Sequence, residues 1–296
     1  MKQILLAALL LAACRPEVPF DPAAHEEEVR KWKENRDSRL RRDDGWLTLA
    51  GLHWLEPGPN PIGSADSNRI VLPPKAPEFV GTLRLEDGSV TLEPASGAPV
   101  MIADRPVTGP VRLNDDTAGG GRTIVHAGPL NFQIIRRGDR LGVRVKDPQA
   151  ETLLNFRGLE YYPVDPRWRV VAQFEPYQPA REIPITDVTG LVAEQTVPGA
   201  LAFEVDGQMH RLDAIDEEGS KELFMIFRDE TSRDTTYPAG RYLYVPRPGV
   251  DGKVVVDFNK AYSPPCVFTP FATCPLPPPQ NRLPIRIEAG EKNYKP

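Results

Sequence analysis

Histidine and cysteine are scarce in this chain, which has four histidines and three cysteines among its 296 residues. The histidines are scattered, and none lies near the two cysteines of the C-terminal part. Because metal centres need several such ligands at short spacings, the sequence predicts no metal site. It also predicts no cofactor, since there is no Walker phosphate loop and no dinucleotide-binding glycine motif on a strand-to-helix turn.

Catalytic signatures are missing as well. The chain has neither a Gly-x-Ser-x-Gly nucleophile turn nor a His-Glu-x-x-His zinc motif. The glycine-rich segment 119–122 lacks the Lys-Ser/Thr pair of a phosphate loop, so we interpret it as a flexible hairpin tip. The sequence therefore assigns no catalytic residue and does not decide whether the protein is an enzyme.

The chain also lacks an excess of positive charge and has no dense run of Lys and Arg; its net charge is −5. Proteins that bind nucleic acid usually present a strongly basic face, so nucleic acid is not an expected partner. Hydrophobic residues make up 40% and charged residues 26% of the chain, values that are typical of a soluble globular body.

The first residues have the pattern of an export signal. Lys2 precedes the apolar run 4–11, which is too short to span a bilayer and ends in small residues. This predicts a signal peptide at 1–13. Leu-Ala-Ala-Cys at 11–14 resembles the lipobox of bacterial lipoproteins, which implies a lipid on Cys14 and a lipidated tether at 14–20. The alternative is an ordinary signal peptide followed by a coincidental cysteine.

A lipid on Cys14 would make the membrane a partner and would anchor an exported protein to the cell envelope, on the periplasmic side. Arg15 stands where an inner-membrane retention signal usually has Asp. In a cell with two membranes, this favours the outer membrane.

Proline is abundant, with 33 residues, and it cannot donate a hydrogen bond within a helix or a sheet. Many short elements separated by turns are therefore expected. Asp21-Pro22 predicts the start of a helix over 21–44, and short apolar runs with Asp-Gly turns at 87–88 and 206–207 predict β-hairpins. We expect a mainly β fold in which one N-terminal helix precedes two β-rich lobes of antiparallel sandwich or barrel type, at 45–148 and 149–296.

The second lobe contains a proline-rich loop with two close cysteines, Cys266 and Cys274. In an oxidising exported compartment, such a pair predicts a disulfide. Free thiols and a metal site are the alternatives.

Polar side chains concentrate near the C-terminus and form a hypothetical ligand site. A guanidinium group could anchor a small polar or anionic ligand. The predicted site comprises Arg241, Asp229, Asp257, Asn259, Tyr262, Tyr237 and Asn281. The structural alternative pairs Arg241 with Asp229 or Asp257 and uses the amides to hold loops.

Three functions are compatible with these residues. The first is binding of a small ligand or of an envelope partner. The second is hydrolysis of envelope material with Asp229 and Asp257 as acid and base, since paired carboxylates can divide these roles. The third is a purely structural role in the envelope.

Several segments resemble the signature of the bacterial and archaeal "domain of unknown function 1684" family. The resemblance lies in Phe-Arg-Asp-Glu-Thr at 227–231, in 235–242, and in Asp-Phe-Asn-Lys-Ala-Tyr at the start of 257–266, and it continues through 274–281, 288–292, 45–55 and 63–72. It implies family membership over most of the chain and, given the family's name, no particular activity.

The segment 63–72 is also similar to the early strand and loop of forkhead-associated domains, which are β sandwiches that bind phosphothreonine. Ser64 stands where that family has Arg, and 76–79 lacks its Ser-x-x-His stretch. The similarity therefore implies a sandwich but not phosphopeptide binding.

Overall fold

The computed structural model describes residues 20–295, and it confirms a mainly β fold with antiparallel sheets and one N-terminal helix. The predicted signal peptide, Cys14 and the tether up to residue 19 lie outside the described residues. Between residues 20 and 295, no helix is long and apolar enough to cross a membrane.

The N-terminal helix α1 spans Pro22–Leu40 and begins at the predicted cap. The carboxylate of Asp21 accepts hydrogen bonds from the backbone N–H groups of residues 23 and 24, and Pro22 occupies the first turn, where its missing N–H costs nothing. The buried residues lie on one face of the helix. They are His25, Val29, Arg36 and Leu40.

Eleven strands follow the helix and form two sheets. They are β1 (Leu49–Trp54), β2 (Gly58–Gly63), β3 (Ile70–Val71), β4 (Gly81–Glu86), β5 (Ser89–Pro94), β6 (Val100–Ile102), β7 (Arg105–Pro106), β8 (Val111–Leu113), β9 (Ile124–Ala127), β10 (Leu130–Arg137) and β11 (Arg140–Lys146). The six-stranded sheet has the order β1-β11-β10-β9-β6-β7, and the five-stranded sheet has the order β3-β2-β4-β5-β8. Side chains of both sheets form one apolar core, which includes Ile62, Leu83, Leu92, Phe132 and Val143.

The C-terminal part contains a short helix and six more strands. They are α2 (Glu151–Leu154), β12 (Arg169–Thr186), β13 (Val192–Val205), β14 (Gln208–Ala214), β15 (Glu222–Phe227), β16 (Arg241–Pro246) and β17 (Lys253–Asp257). Four of these strands form a sheet in the order β14-β13-β12-β17, and the ribbon β15–β16 packs against it. Their shared core includes Leu201, Phe203, Met225, Phe227 and Phe258.

Two of the hairpin turns form at the Asp-Gly pairs that the sequence indicates. Asp87 and Gly88 have φ angles of 47° and 68° between β4 and β5, and Asp206 and Gly207 have φ angles of 51° and 76° between β13 and β14. Positive φ at both central residues is the geometry of the two-residue turn that matches the twist of antiparallel strands. Local turn chemistry thus sets the register of both hairpins.

Helix α1 is attached to the C-terminal part by a buried ion pair. Arg36 Nε donates to Glu291 Oε1 over 2.8 Å, and the two side chains are 9% and 0% exposed. Arg36 Nη2 also donates to the main-chain oxygen of Ser263, whose N–H donates to the second carboxylate oxygen of Glu291. His25 adds a further contact, because its Nε2 lies 2.9 Å from Asp257 Oδ2.

The substitution Arg36→Ala should lower the free energy of unfolding by about 3–5 kcal/mol, because it leaves the Glu291 carboxylate buried without its counter-ion. Arg30→Ala on the exposed face of the same helix is the matched control and should leave the melting temperature almost unchanged. Urea unfolding of both variants measures the difference. Equal stabilities would show that the Arg36–Glu291 pair does not hold the helix.

Candidate functional site

The predicted anchor Arg241 lies in the interior rather than in an open pocket. Its side chain is 0% exposed, and its guanidinium donates to the main-chain oxygens of Ala289 and Ile287 and, over 3.2 Å, to Asp229 Oδ1. Asp229 also accepts a hydrogen bond of 2.7 Å from the N–H of Ile287 and one from the hydroxyl of Thr231. Burial lowers the pKa of Arg241. These contacts connect the β15–β16 ribbon to the C-terminal segment.

The two predicted amides also bond to protein groups. Asn281 is fully buried. Its Oδ1 accepts a hydrogen bond from the backbone N–H of Asp213, and its Nδ2 donates to the main-chain oxygens of Asp213 and Ile226. Asn259 bonds to both main-chain groups of Asp165 and donates to the carboxylate of Asp257. Each amide therefore bridges segments that are distant in sequence.

Asp229 and Asp257, the predicted acid and base, belong to separate hydrogen-bond networks. Asp229 bonds to Arg241 and Thr231, whereas Asp257 bonds to His25 and Asn259. Asp257 borders a cleft that Asp229 does not reach.

The predicted disulfide between Cys266 and Cys274 is not formed, and both cysteines are free thiols. The backbone N–H of Cys266 donates to Cys274 Sγ over 3.2 Å, so that sulfur serves as a hydrogen-bond acceptor. The hydrogen bond from Cys274 lowers the pKa of Cys266, while the same bond, together with burial, raises the pKa of Cys274. Burial and the nearby Cys266 raise the pKa of Tyr237, another predicted site residue, which therefore lies beside the thiols.

A cleft of about 1200 Å³ lies between α1, strands β10 and β11, the β15–β16 ribbon and the proline-rich cysteine loop. Of the seven predicted ligand residues, Asp257 and Tyr262 line it. The Tyr262 ring lies 4.7 Å from the guanidinium carbon of Arg36, at the α1 side of the cleft.

One end of this cleft is a cluster of positively charged side chains, which we term the cationic cluster. Its members are Arg42, Arg122, Arg137, Arg144 and Lys146. Two members of the cluster, Arg144 and Lys146, alternate along β11 with Val143 and Val145, which are fully buried in the first core. Because neighbouring residues of a strand point to opposite faces, Arg144 and Lys146 share the other face.

Arg144 is a buried cation without a carboxylate partner. It is 4% exposed, and its Nη2 donates to Thr273 Oγ1 over 3.2 Å. Its Nε is buried and finds no acceptor anywhere in residues 20–295. Burial, reinforced by the positive charge of Arg137, lowers the pKa of Arg144 to about 10, so the group stays charged at neutral pH.

Lys146 is a second buried cation without a carboxylate partner, and the exposed Arg122 adds a further positive charge beside it. Lys146 is 9% exposed, and its Nζ donates over 2.6 Å to the main-chain oxygen of Asp44. Burial, together with Arg122, lowers the pKa of Lys146 from 10.5. Across the described part of the chain, neither Lys146 nor Arg122 forms an ion pair, whereas Arg42 and Arg137 pair with Asp44 and Asp116. Buried uncompensated charge is costly and marks a candidate site for a negatively charged ligand.

The opposite wall of the cleft is aromatic. On the β15–β16 ribbon, Leu223 and Leu243 point into the second core, and the alternate residues Phe224, Tyr242 and Tyr244 line the cleft. The rings of Phe224 and Tyr244 are stacked with centroids 4.8 Å apart, and Tyr244 is 36% exposed. Phe224 and Tyr242 are each 6% exposed and belong to a third apolar core, so the ring of Tyr244 is the accessible part of this wall.

Sequence reasoning missed the cationic cluster. The sequence pattern places Arg122 at a flexible hairpin tip and assigns no role to Arg144 or Lys146. The available signal was the alternation Val-Arg-Val-Lys, which places two cations on one face of a strand whose other face is apolar. Nothing local indicates that Thr273, which lies 129 residues from Arg144, completes the site.

In the described range 20–295, no group of three or more His, Cys, Asp or Glu side chains is arranged to hold a metal ion.

Comparison with known proteins identifies the family. Residues 154–292 match the family model described as "Protein of unknown function (DUF1684)". The chain belongs to this family. The matched range of this DUF1684 protein contains the aromatic wall and Thr273, whereas Arg122, Arg144 and Lys146 precede it.

The chain is similar to the solution NMR structure of the uncharacterized protein from gene locus rrnAC0354 of Haloarcula marismortui. The two sequences are 32% identical, the alignment covers 47% of this chain and 77% of the other, and the TM-score is 0.40. No curated protein matches the chain.

Two matched substitutions distinguish the buried arginines. Arg241→Met should destabilise the protein by about 3–5 kcal/mol, because it leaves Asp229 buried and unpaired. Arg144→Met should instead stabilise the ligand-free protein by about 1–2 kcal/mol, since it removes a buried charge that has no counter-ion. Urea unfolding in a buffer free of multivalent anions measures both. A loss of stability in Arg144→Met as large as that in Arg241→Met would assign Arg144 to the framework.

Proposed function

We propose that this protein binds a small anionic ligand in the cleft, with Arg144 and Lys146 as the principal contacts. The observation that carries the proposal is that Arg144 is buried without a carboxylate partner among residues 20–295 and lies next to Lys146, a buried lysine that also has none. A bound anion would satisfy the open donor and offset the repulsion among the cations.

The chemistry of the two groups suits an oxyanion. A guanidinium presents several N–H donors in a plane and matches carboxylate or phosphate geometry, while an ammonium adds a compact charge. In Arg144 the Nη2 is held by Thr273 and the Nε remains open, so the group is already oriented before the ligand arrives. Pre-orientation reduces the entropy lost on binding.

Binding has more support than hydrolysis. A general acid and a general base must both reach the reacting bond. Asp257 lines the cleft, but Asp229 is fully buried against Arg241 and does not. A purely structural role would give little reason to leave Arg144 without a carboxylate, because its cation–π contact with Trp46, whose ring centre lies 5.3 Å from the guanidinium carbon, offsets only part of the cost of burial.

The export signal and the lipobox-like segment at 11–14 support a second part of the proposal, in which the protein is exported and lipid-anchored through Cys14. Helix α1 begins at residue 22 and lines the cleft with Trp32 and Arg36. A lipid on Cys14 would therefore hold the cleft close to a membrane surface.

Sulfate tests the binding site, because it keeps its charge over the whole usable pH range. It should raise the melting temperature at constant ionic strength, by an amount that corresponds to about 2.7 kcal/mol at one hundred times its Kd. Arg144→Met and Lys146→Met should each remove most of this shift. Arg140→Met, on the same strand but outside the cleft, is the matched control and should retain it.

A pH series adds a second arm to this test. The pKa of Lys146 is lower in the folded protein than its ordinary value of 10.5. Between the two values the unfolded chain therefore holds more protons than the folded protein. The sulfate-free protein should gain stability as the pH rises through this window. The sulfate-induced shift should shrink over the same window as Lys146 loses its proton. No sulfate effect on the wild type, or an equal effect on Arg144→Met, would contradict the proposed site.

The anchor is tested by Cys14→Ser. When the chain is produced in a bacterium supplied with labelled fatty acid, the wild type should carry label and remain with the membranes, and Cys14→Ser should lose both properties. Cys266→Ser is the matched control and should behave as the wild type. An unlabelled, freely soluble wild-type protein would contradict lipid anchoring.

A further inference from the structure

We infer that the ligand is an amphiphilic organic anion, whose single charged end binds the cationic cluster and whose apolar part packs against the exposed ring of Tyr244. This inference rests on the proposed anion site and adds the chemical class of the ligand. It follows from the volume of the cleft, the nature of its second wall and the distribution of charge along it.

The cleft is much larger than a simple inorganic anion requires. Its volume of about 1200 Å³ is at or above the range of roughly 300–1000 Å³ that is usual for sites that enclose drug-sized molecules. Sulfate or phosphate bound at Arg144 would leave most of this space unfilled. The dimensions therefore indicate a ligand with a substantial second part.

The apolar part of the ligand would contact an aromatic surface. The OH of Tyr242 donates to the main-chain oxygen of Pro275, two residues after Thr273, so this ring lies beside the cationic cluster. Two residues further along β16, Tyr244 stacks on Phe224 and remains 36% exposed. Aromatic surface that stays exposed in a cleft favours an apolar or planar partner.

Carboxylates lie at the far end of the aromatic wall, in a cleft whose other sides also carry Arg36, Arg39, Arg169 and Lys260. Beyond Tyr244, the wall ends at Glu222, which pairs with Pro246 across the ribbon, and at Glu217, which accepts the hydrogen bond from the Tyr244 hydroxyl. From Tyr242 to Pro246 the strand advances about 13 Å. An anion that lies along this wall with a second negative end at this distance would meet these carboxylates, so along this wall negative charge is favoured at one end only.

Calorimetric titration of the full-length protein at constant ionic strength compares inorganic phosphate, phenyl phosphate, hexyl phosphate and adipate. Phenyl and hexyl phosphate should each bind at least tenfold more tightly than inorganic phosphate, and adipate should bind more weakly than hexyl phosphate. Tyr244→Ser should remove most of the tenfold gain and leave the affinity for inorganic phosphate unchanged. Met209→Ser, which changes an exposed apolar residue outside the cleft, should alter none of these affinities.

The outcomes separate the two proposals. Equal affinities for inorganic and organic phosphates, or a gain that Tyr244→Ser preserves, would overturn the amphiphilic ligand and leave the anion site intact. Adipate that binds as tightly as hexyl phosphate would overturn the single charged end. If no phosphate binds at all, the anion site itself fails, and the inference fails with it.

Discussion

A charge inside a β-sheet protein must be compensated, because removing an ion from water costs several kcal/mol. Most of the buried charges in this protein meet that requirement within the fold. Arg241 pairs with Asp229, and Arg36 pairs with Glu291, each in a side-chain environment that is almost closed to solvent. These pairs fasten the C-terminal segment and the N-terminal helix to the β framework. Arg144 and Lys146 differ, because both are buried and neither has a carboxylate partner among residues 20–295.

The family signature and the cationic cluster serve different purposes in this structure. The signature segments supply Arg241, Asp229, Asn259 and Asn281, whose hydrogen bonds join loops that are distant in sequence. The cluster is built mainly from β11 and its surroundings, before the range that matches the family model. The proposed site therefore combines a charged wall from the first group of sheets with an aromatic wall from the family-defining part.

Features that depend on neighbouring residues could be predicted from the sequence. The cap at Asp21 and the turns at 87–88 and 206–207 follow from local backbone chemistry, and the structure contains all three. Proline content correctly indicated β structure rather than a helix bundle, but the expectation of short elements fails for β12 and β13, which have 18 and 14 residues. The short spacing of Cys266 and Cys274 correctly indicated that the two residues lie close together. It could not predict the geometry of the two sulfurs, which are not bonded to each other.

The site could not be predicted because it depends on long-range register and on local rather than net charge. Gln133 pairs with Arg144 across β10 and β11, and Thr273 reaches the same guanidinium from a loop of the other lobe. The net charge of the whole chain is −5, yet five cations lie together at one end of the cleft. Net charge therefore does not predict the local charge of a site. Arginine itself was also ambiguous: Arg241 and Arg144 look alike in sequence, and only their partners distinguish a framework residue from a candidate ligand contact.

The arginine side-chain ¹H–¹⁵N spectrum tests this distinction most directly, because the Nε–H groups of Arg144 and Arg241 are both buried and both without an acceptor in residues 20–295. Arg144→Met and Arg241→Met spectra assign the two resonances, and sulfate is then titrated at constant ionic strength. The account predicts a saturable shift of the Arg144 resonance, as its open donor gains an oxyanion, and no movement of the Arg241 resonance. An Arg144 resonance that does not respond, or an Arg241 resonance that does, would contradict the account.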